Sequence, residues 1–197
     1  MRFNGSAVRL VSVICLALGV LAVAPGAAQA NQPATGTVVR PTESATVLAE
    51  RRQIILDAQA QVIKKANYTW GGGHGAKPGP TKGNCGSSYE GPMPCIDTRV
   101  TGFDCSGYVR YVLYQAGLGD FKLNANGFLH SSKLRTITKA QLKPGDLIFF
   151  GSSKSTANHV AIYAGNGYMY EAASHALDVV ESKVTRRSDV IAYKTLF

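Results

Sequence analysis

The chain has 197 residues, with 21 lysine and arginine residues against 12 acidic residues and a formal net charge of +9 at pH 7. This length favours one domain with a hydrophobic core and leaves too little chain for two ordinary domains. The basic residues are spread without a block of five like charges, so we expect no nucleic-acid partner.

Residues 1–30 have the pattern of an export signal. Two arginines precede an apolar run at 10–23, and the segment ends in the small-residue sequence Ala28-Gln29-Ala30. The run is too short to span a bilayer, so we expect cleavage before Asn31 and no membrane anchor afterwards. The mature chain would have 167 residues and a charge of +7. That charge suits attraction to an anionic cell envelope, or it serves only solubility.

Removal of this segment leaves three cysteines in a compartment that favours disulfides: Cys85, Cys95 and Cys105. Three is an odd number, so one thiol stays free or pairs with another molecule. Cys85 and Cys95 lie in one glycine- and proline-rich stretch, which makes them the natural pair and leaves Cys105 unpaired. A zinc site is the alternative for the pair, but there is no C-x-x-C motif and only His74 is nearby. We therefore expect no metal.

A flexible lead-in at 31–43 is predicted from small, polar and proline residues, followed by one domain at 44–197. At the start of this domain, apolar residues recur at helical spacing, which predicts an amphipathic helix ending near Lys65. Residues 71–103 are rich in glycine and proline and show neither helical nor strand periodicity. We expect a long ordered loop there, held by the Cys85–Cys95 disulfide.

A second predicted helix carries Cys105 in its first turn. Asp104 is a good N-cap, and apolar residues follow on one stripe as far as Gly117. A helix N-terminus lowers the pKa of a thiol, because free backbone N–H groups and the helix dipole favour negative charge there. The same N–H groups can stabilise an oxyanion. We therefore expect Cys105 to be a nucleophile rather than an inert buried cysteine.

The rest of the chain predicts an antiparallel sheet after an irregular stretch that runs to Ser132. A three-residue hairpin loop is expected at 165–167. Helices followed by antiparallel strands indicate an α+β fold, with the Cys105 helix packed on the sheet. The predicted strands are 147–150, 159–164, 168–173 and 190–193.

His159 is the candidate base, because histidine has a pKa suited to accepting a proton and later donating it to a leaving amine. Strand alternation places His159 on the same face as Ala161 and Tyr163. With the three-residue loop, Glu171 shares that face at about 7 Å, near enough to orient the imidazole. A two-residue loop would put Glu171 on the far face. His175 passes the same parity test and is the alternative orienting residue.

Three ordered motifs resemble the NlpC/p60 family of papain-like peptidoglycan cysteine endopeptidases. They are Gly-Phe-Asp-Cys-Ser-Gly-Tyr at 102–108, Pro-Gly-Asp-Leu at 144–147 and His-Val-Ala-Ile-Tyr-Ala-Gly at 159–165. The resemblance covers about residues 50–197. It implies a papain-like α+β fold, with N-terminal helices packed on a central antiparallel sheet. It also implies hydrolysis of peptidoglycan stem peptides, usually between γ-D-glutamyl and a diamino acid, without a cofactor.

The resemblance further implies that Tyr68 lies beside the nucleophile and that Asp104 and Ser106 bind the free amino end of the stem peptide. Two features depart from the family pattern. Many members carry histidine at the position of Glu171, twelve residues after the first histidine, and the loop before Cys105 is much longer than in compact members. A carboxylate orients an imidazole well, so the role survives the change.

The sequence thus predicts a secreted or cell-wall-associated monomeric cysteine endopeptidase with Cys105, His159 and Glu171 as its catalytic residues. Two alternatives stay open. One is an amidase that cuts between muramic acid and L-alanine. The other is a wall-binding module whose site is degenerate.

Overall fold

A computed structural model describes residues 42–87, 89 and 91–197 of the chain. The predicted export signal and most of the predicted lead-in therefore lie outside the described residues. Those that are described belong to one compact unit, Pro41–Phe197. Within them, no helix combines the length and the apolar character that a bilayer crossing requires.

Three α-helices and nine strands are formed by the described residues. The helices are α1 (Ala45–Ile63), α2 (Cys105–Gln115) and α3 (Ala125–Leu129). Single 3-10 turns lie at Lys139–Gln141 and Val184–Arg186. The strands are β1 (Asn67–Tyr68), β2 (Thr81–Lys82), β3 (Thr101–Phe103), β4 (Arg135–Ile137), β5 (Leu147–Phe150), β6 (His159–Gly165), β7 (Tyr168–Ser174), β8 (Asp178–Lys183) and β9 (Val190–Thr195).

The predicted first helix is confirmed: α1 ends at Ile63, close to the predicted end near Lys65. Ser44 caps α1 by accepting a hydrogen bond from the backbone N–H of Val47, as its short polar side chain favours. The buried face carries Ile54 and also Arg51, whose guanidinium donates to the Asp146 carboxylate at 2.8 Å. Because this buried charge is paired, α1 is tied to the turn that feeds β5.

Six strands form one antiparallel sheet in the order β4-β9-β5-β6-β7-β8. The four predicted strands correspond to β5, β6, β7 and β9, and the last three of these extend one or two residues beyond the predicted ends. The edge strands β4 and β8, together with α3, were missed. The prediction of an irregular stretch up to Ser132 was therefore wrong at α3, which is a single capped turn too short to show helical periodicity.

The hairpin between β6 and β7 differs from the predicted loop but keeps the predicted strand register. Gly165 pairs with Tyr168, so the connection is two residues long. A register shift between Tyr163 and Gly165 adds one residue to β6, as a bulge does, and Ile162 pairs with Tyr170. The extra residue in β6 shifts the alternation of side chains just as a third loop residue would. Glu171 therefore lies on the face of the sheet that the sequence predicted.

The glycine-rich segment 71–103 is more regular than predicted. Strand β3 pairs in parallel with β1 and antiparallel with β2, which gives a small three-stranded sheet with two of its strands, β2 and β3, inside the predicted loop. The sulfur atoms of Cys85 and Cys95 are 1.96 Å apart, a disulfide, and Cys105 is the one free cysteine of the described residues. Strands of two or three residues are too short to show alternation, which explains why the sequence did not predict them.

The large sheet is covered on both faces by apolar side chains. Val160 and Ile162 face the helices and pack in the main core with Val109 and Val112 of α2. On the other face, a smaller cluster is built from Ile148, Phe150, Ala161 and Met169. The alternation along β6 therefore follows the predicted pattern, and it places α2 over the strand that begins with His159.

Candidate active site

A cleft of about 660 Å³ opens where α2 begins and β6 begins. One wall comes from the segment between β1 and β2, a second from the start of α2, and a third from α3 and the start of β6. Its lining residues are Tyr68, Trp70, Gly71, His74, Asn84, Asp104, Cys105, Ser106, Asn124, Ala125, Asn126, Ala157, Asn158, His159, Ala173 and Arg187. The cleft thus gathers five of the six predicted catalytic and binding residues, with Glu171 behind His159.

Cys105 is the first residue of α2, as predicted, and its side chain is half-buried in the cleft. Asp104 caps the helix by accepting a hydrogen bond from the Gly107 N–H at 2.7 Å. The expected lowering of the thiol pKa was wrong. Burial raises the pKa of Cys105 to about 12, the Asp104 carboxylate adds to the rise, and backbone N–H groups, Val160 among them, only partly oppose it.

Helix α2 packs against the glycine-rich segment so closely that their backbones are in contact. A Cβ atom placed on Gly107 would lie 2.1 Å from the Gly72 carbonyl oxygen, and one on Gly73 would lie 2.6 Å from the Gly107 Cα. The backbone N–H of Asp104 also donates to the Gly72 carbonyl at 3.0 Å. Glycine at these positions therefore lets the cleft wall reach the first turn of α2.

His159 and Glu171 form a direct pair across β6 and β7. Nε2 of His159 lies 2.7 Å from Oε2 of Glu171, and the carboxylate is fully buried while His159 is 6% exposed. The structure thus brings Glu171 to the imidazole. The alternative orienting residue, His175, bonds instead to Asp97, with its Nε2 2.8 Å from Oδ1. With Nε2 engaged, Nδ1 is the nitrogen of His159 that is left to act in the cleft.

The second oxygen of Glu171 is held from β8 and the turn after it. Oε1 accepts hydrogen bonds from the Ser182 hydroxyl and from the Arg186 guanidinium, the latter at 2.7 Å. Burial acts to raise the pKa of Glu171, but the hydrogen bonds from His159, Ser182 and Arg186 outweigh it and lower this pKa to about 2. The carboxylate is therefore charged at every pH at which the protein is expected to work.

A second histidine of the cleft lining, His74, contacts Asp104 at the start of α2. Its Nε2 is 3.0 Å from each carboxylate oxygen of Asp104 and 3.2 Å from the Ser106 hydroxyl oxygen. The Ser106 hydroxyl also donates to Oδ1 of Asp104 at 2.9 Å. Sequence reasoning assigned no role to His74, because nothing in its glycine-rich surroundings indicates that the chain folds back onto α2.

Tyr68 lines the cleft and packs on a second buried acid–histidine pair. The ring centroids of Tyr68 and His175 are 4.8 Å apart, and the Tyr68 N–H donates to the Asp178 carboxylate at 3.0 Å. Asp97 accepts from His175 and from the Trp70 N–H. Burial acts to raise the pKa of Asp97, but these hydrogen bonds lower it below its ordinary value. The long segment before α2 thus reaches the turn after β7 and supports this wall.

Among the described residues, Cys85, Cys95 and Asp97 bring potential metal-ligand atoms within 4.8 Å of one another. The two sulfur atoms are bonded to each other, which removes the thiolates that a zinc ion would need.

Residues 65–191 match the NlpC/P60 family model. The chain is 33% identical over 177 residues to peptidoglycan endopeptidase RipB of Mycobacterium tuberculosis, and the alignment covers 86% of this chain and 63% of RipB. The chain therefore spans less than two thirds of that relative.

Two solved structures have a similar fold. The peptidoglycan hydrolase RipB of Mycobacterium tuberculosis aligns with a TM-score of 0.60 and 30% identity, over 78% of this chain and 67% of RipB. RipD of the same organism, described as a non-catalytic NlpC/p60 domain protein adapted to peptidoglycan binding, aligns with a TM-score of 0.54 and 27% identity, over 73% and 96%. These likenesses confirm the predicted α+β fold.

Proposed function

Because this chain belongs to the NlpC/P60 family, we propose that it is a secreted peptidoglycan endopeptidase that cuts stem peptides between γ-D-glutamyl and a diamino acid. The observation that carries the proposal is the free Cys105 at the start of α2, in one cleft with a histidine whose far nitrogen is held by a buried carboxylate. All three groups come from one chain, so a monomer suffices.

Cys105 is the proposed nucleophile and His159 the proposed base. With the pKa of the thiol raised to about 12, the sulfur is protonated in the unliganded cleft. Attack on the peptide carbonyl carbon therefore has to proceed as the thiol proton passes to Nδ1 of His159. Glu171 stabilises the imidazolium that forms and fixes which nitrogen carries the proton, because it accepts from Nε2.

The remaining steps use the same groups. Attack places negative charge on the carbonyl oxygen, and the backbone N–H groups of Cys105 and Ser106 at the α2 terminus are suited to stabilise it. The imidazolium then gives its proton to the leaving amine, and a thioester to Cys105 remains. Water, deprotonated by His159, attacks the thioester, which releases a carboxylic acid and restores the thiol.

Tyr68, Asp104 and Ser106 are proposed to contact the part of the stem peptide on the amino-terminal side of the cut. The support for this is their position on the cleft wall beside Cys105. Tyr68 offers a ring held in place by its packing on His175, and Ser106 offers a hydroxyl oxygen that can accept a hydrogen bond, since its own hydrogen is donated to Asp104.

Digestion of purified peptidoglycan of known composition tests the proposal. The full-length protein is expected to release fragments, and Cys105→Ala is expected to release none while keeping its circular dichroism spectrum and melting temperature. Mass spectrometry of the fragments identifies the bond. A new diamino-acid amino end supports the proposal, whereas a cut between muramic acid and L-alanine indicates an amidase. Full activity of Cys105→Ala would exclude Cys105 as the nucleophile.

A non-catalytic wall-binding protein is the second candidate, and two observations favour it. The chain resembles RipD, and burial raises the pKa of the Cys105 thiol to about 12. Co-sedimentation with insoluble peptidoglycan, without any release of fragments, would support this candidate over the endopeptidase.

A further inference from the structure

The carboxylate that Asp104 presents to the cleft is already occupied by the chain's own His74. Nε2 of His74 lies 3.0 Å from Oδ1 and 3.0 Å from Oδ2 of Asp104. Oδ1 also accepts from the Ser106 hydroxyl and from the Gly107 N–H, at 2.9 Å and 2.7 Å. Each oxygen of the carboxylate is thus engaged by a donor from the protein before any ligand arrives.

His74 is held in this position by the nucleophile helix itself. Nη1 of Arg110, on α2, donates to the carbonyl oxygens of Gly73 and Gly75 at 3.0 Å and 2.9 Å, which fixes the backbone on both sides of His74. Arg110 is 1% exposed, and its Nε and Nη2 atoms are paired with the Asp120 carboxylate. A buried, fully paired guanidinium is a rigid anchor, so the imidazole is placed on Asp104 by the fold.

Asp104 is the only acidic residue among the described residues that line the cleft. Glu171 is fully buried behind His159, and the lining cation Arg187 is paired with Asp189 outside the lining. A protonated His74 would neutralise Asp104 and repel an ammonium group. A neutral His74 would still direct its N–H at both oxygens, so an ammonium group would have to share the carboxylate with His74, Ser106 and Gly107. An ammonium entering the cleft would lose water without gaining an unshared carboxylate.

We propose that the cleft takes stem peptides whose amino end is acylated, as in a peptide still amide-linked to its glycan, and that His74 sets this preference. The inference rests on the proposed function, because it names the form of the stem peptide which that site binds. It departs from the expectation that Asp104 and Ser106 receive a free amino end. An acylated end presents a neutral amide, which suits the neutral polar side chains of Ser106 and Asn84 in the cleft lining.

Two synthetic stem peptides that differ only in a free or an N-acetylated amino end test the inference. The full-length protein is expected to cleave the acetylated peptide with a kcat/KM at least equal to that of the free peptide. His74→Ala uncovers Asp104 and is expected to shift the ratio towards the free peptide by roughly tenfold, mainly through KM. His74→Gln retains a donor amide that can reach Asp104 and is expected to keep most of the wild-type ratio.

His130→Ala is the matched control. His130 is exposed, lies outside the cleft and bonds to the Ser155 carbonyl, so its loss is expected to leave the ratio unchanged. A wild-type kcat/KM that is higher for the free peptide than for the acetylated one, or an unchanged ratio in His74→Ala, would overturn the inference.

Calorimetric binding of both peptides to the same variants separates this inference from the proposed function. If neither peptide is cleaved but the acetylated one binds more tightly in a His74-dependent manner, the inference stands and the endopeptidase proposal falls. If the peptides bind equally well to the wild type and to His74→Ala, or if neither binds, the inference falls.

Discussion

The Nε2 atom of His159 lies 2.7 Å from Oε2 of Glu171, and the two side chains meet across adjacent strands although they are twelve positions apart in the chain. The pair is possible because the bulge adds one residue to β6. Without that residue, a two-residue loop would place Glu171 on the opposite face of the sheet from His159. The oxygen opposite His159 is held by Ser182 and Arg186, so the carboxylate cannot rotate away from the imidazole without losing two further hydrogen bonds.

Glu171→Gln is expected to lower kcat/KM on a stem peptide by about a hundredfold with little change in KM, because an amide can present its NH2 group to Nε2 and favour the wrong tautomer. Steady-state kinetics on the synthetic peptides measures this. Glu181→Gln is the matched control, because Glu181 is exposed on β8 outside the cleft and is expected to be neutral. Equal activities in the two variants would remove Glu171 from the mechanism.

Because of the Glu171 carboxylate, the free energy of unfolding depends on pH in the acid range. The pKa of Glu171 is about 2 in the folded protein against an ordinary value of 4.5, so its contribution to stability is complete above pH 4.5 and is lost as the pH falls towards 2. This contribution is on the order of 3 kcal/mol. Asp97, Asp120 and Asp189, whose pKa values are also lowered, add to the slope.

Urea unfolding of the wild type and Glu171→Gln at pH 6 and pH 3 tests this dependence. The free energy of unfolding is expected to fall more steeply in the wild type, so the difference between the two proteins narrows at pH 3. Parallel curves for the two proteins would contradict a lowered pKa at Glu171.

The elements that position the proposed nucleophile and the proposed base were predictable from the sequence, because each carries a local signal. Asp104 before an apolar helical stripe marked the start of α2, and alternation marked β6. The three-residue hairpin predicted between β6 and β7 was wrong in length, yet the register was right. A one-residue bulge in the strand and one more residue in the loop shift the alternation of side chains in the same way, and only the structure distinguishes them.

Features that depend on long-range packing were not predictable. Arg186 reaches Glu171 from a turn after β8, an edge strand that the sequence did not indicate. His74 reaches Asp104 because Arg110 pins the glycine-rich segment to α2, and no periodic pattern reports such a contact. Both residues require knowledge of which elements pack together.

Arg186→Gln is expected to move the acid limb of the pH profile of kcat/KM to higher pH. In the wild type, Arg186 balances part of the Glu171 charge; without it, that charge acts on His159 alone and favours the imidazolium. Asp189, the other carboxylate whose charge interacts with His159, stays paired with Arg187. A shift of roughly half a pH unit is expected for a partly exposed guanidinium.

The pH profiles of kcat/KM for Arg186→Gln and Lys183→Gln distinguish an electrostatic effect of Arg186 on the site from a loss of folding. Lys183 is an exposed cation near the same turn, outside the cleft lining, and its removal is expected to leave the acid limb in place. A lower kcat for Arg186→Gln at every pH, with an unmoved acid limb, would mean that Arg186 serves only the local structure.

The resting state of Cys105 decides how the proton moves in the proposed reaction. A helix N-terminus stabilises a charge by about 0.3–1 kcal/mol at an exposed site, whereas burying an ion costs several kcal/mol. Desolvation therefore dominates and raises the pKa of Cys105 to about 12.

We expect slow alkylation of Cys105 by iodoacetamide at pH 7, an alkylation rate that rises up to pH 10 without a plateau, and no thiolate absorbance at 240 nm at pH 7. His159→Ala is expected to leave this alkylation slow and to abolish turnover, because the base acts during attack rather than before it. A plateau in alkylation rate below pH 8 would instead indicate a thiolate formed before substrate binds.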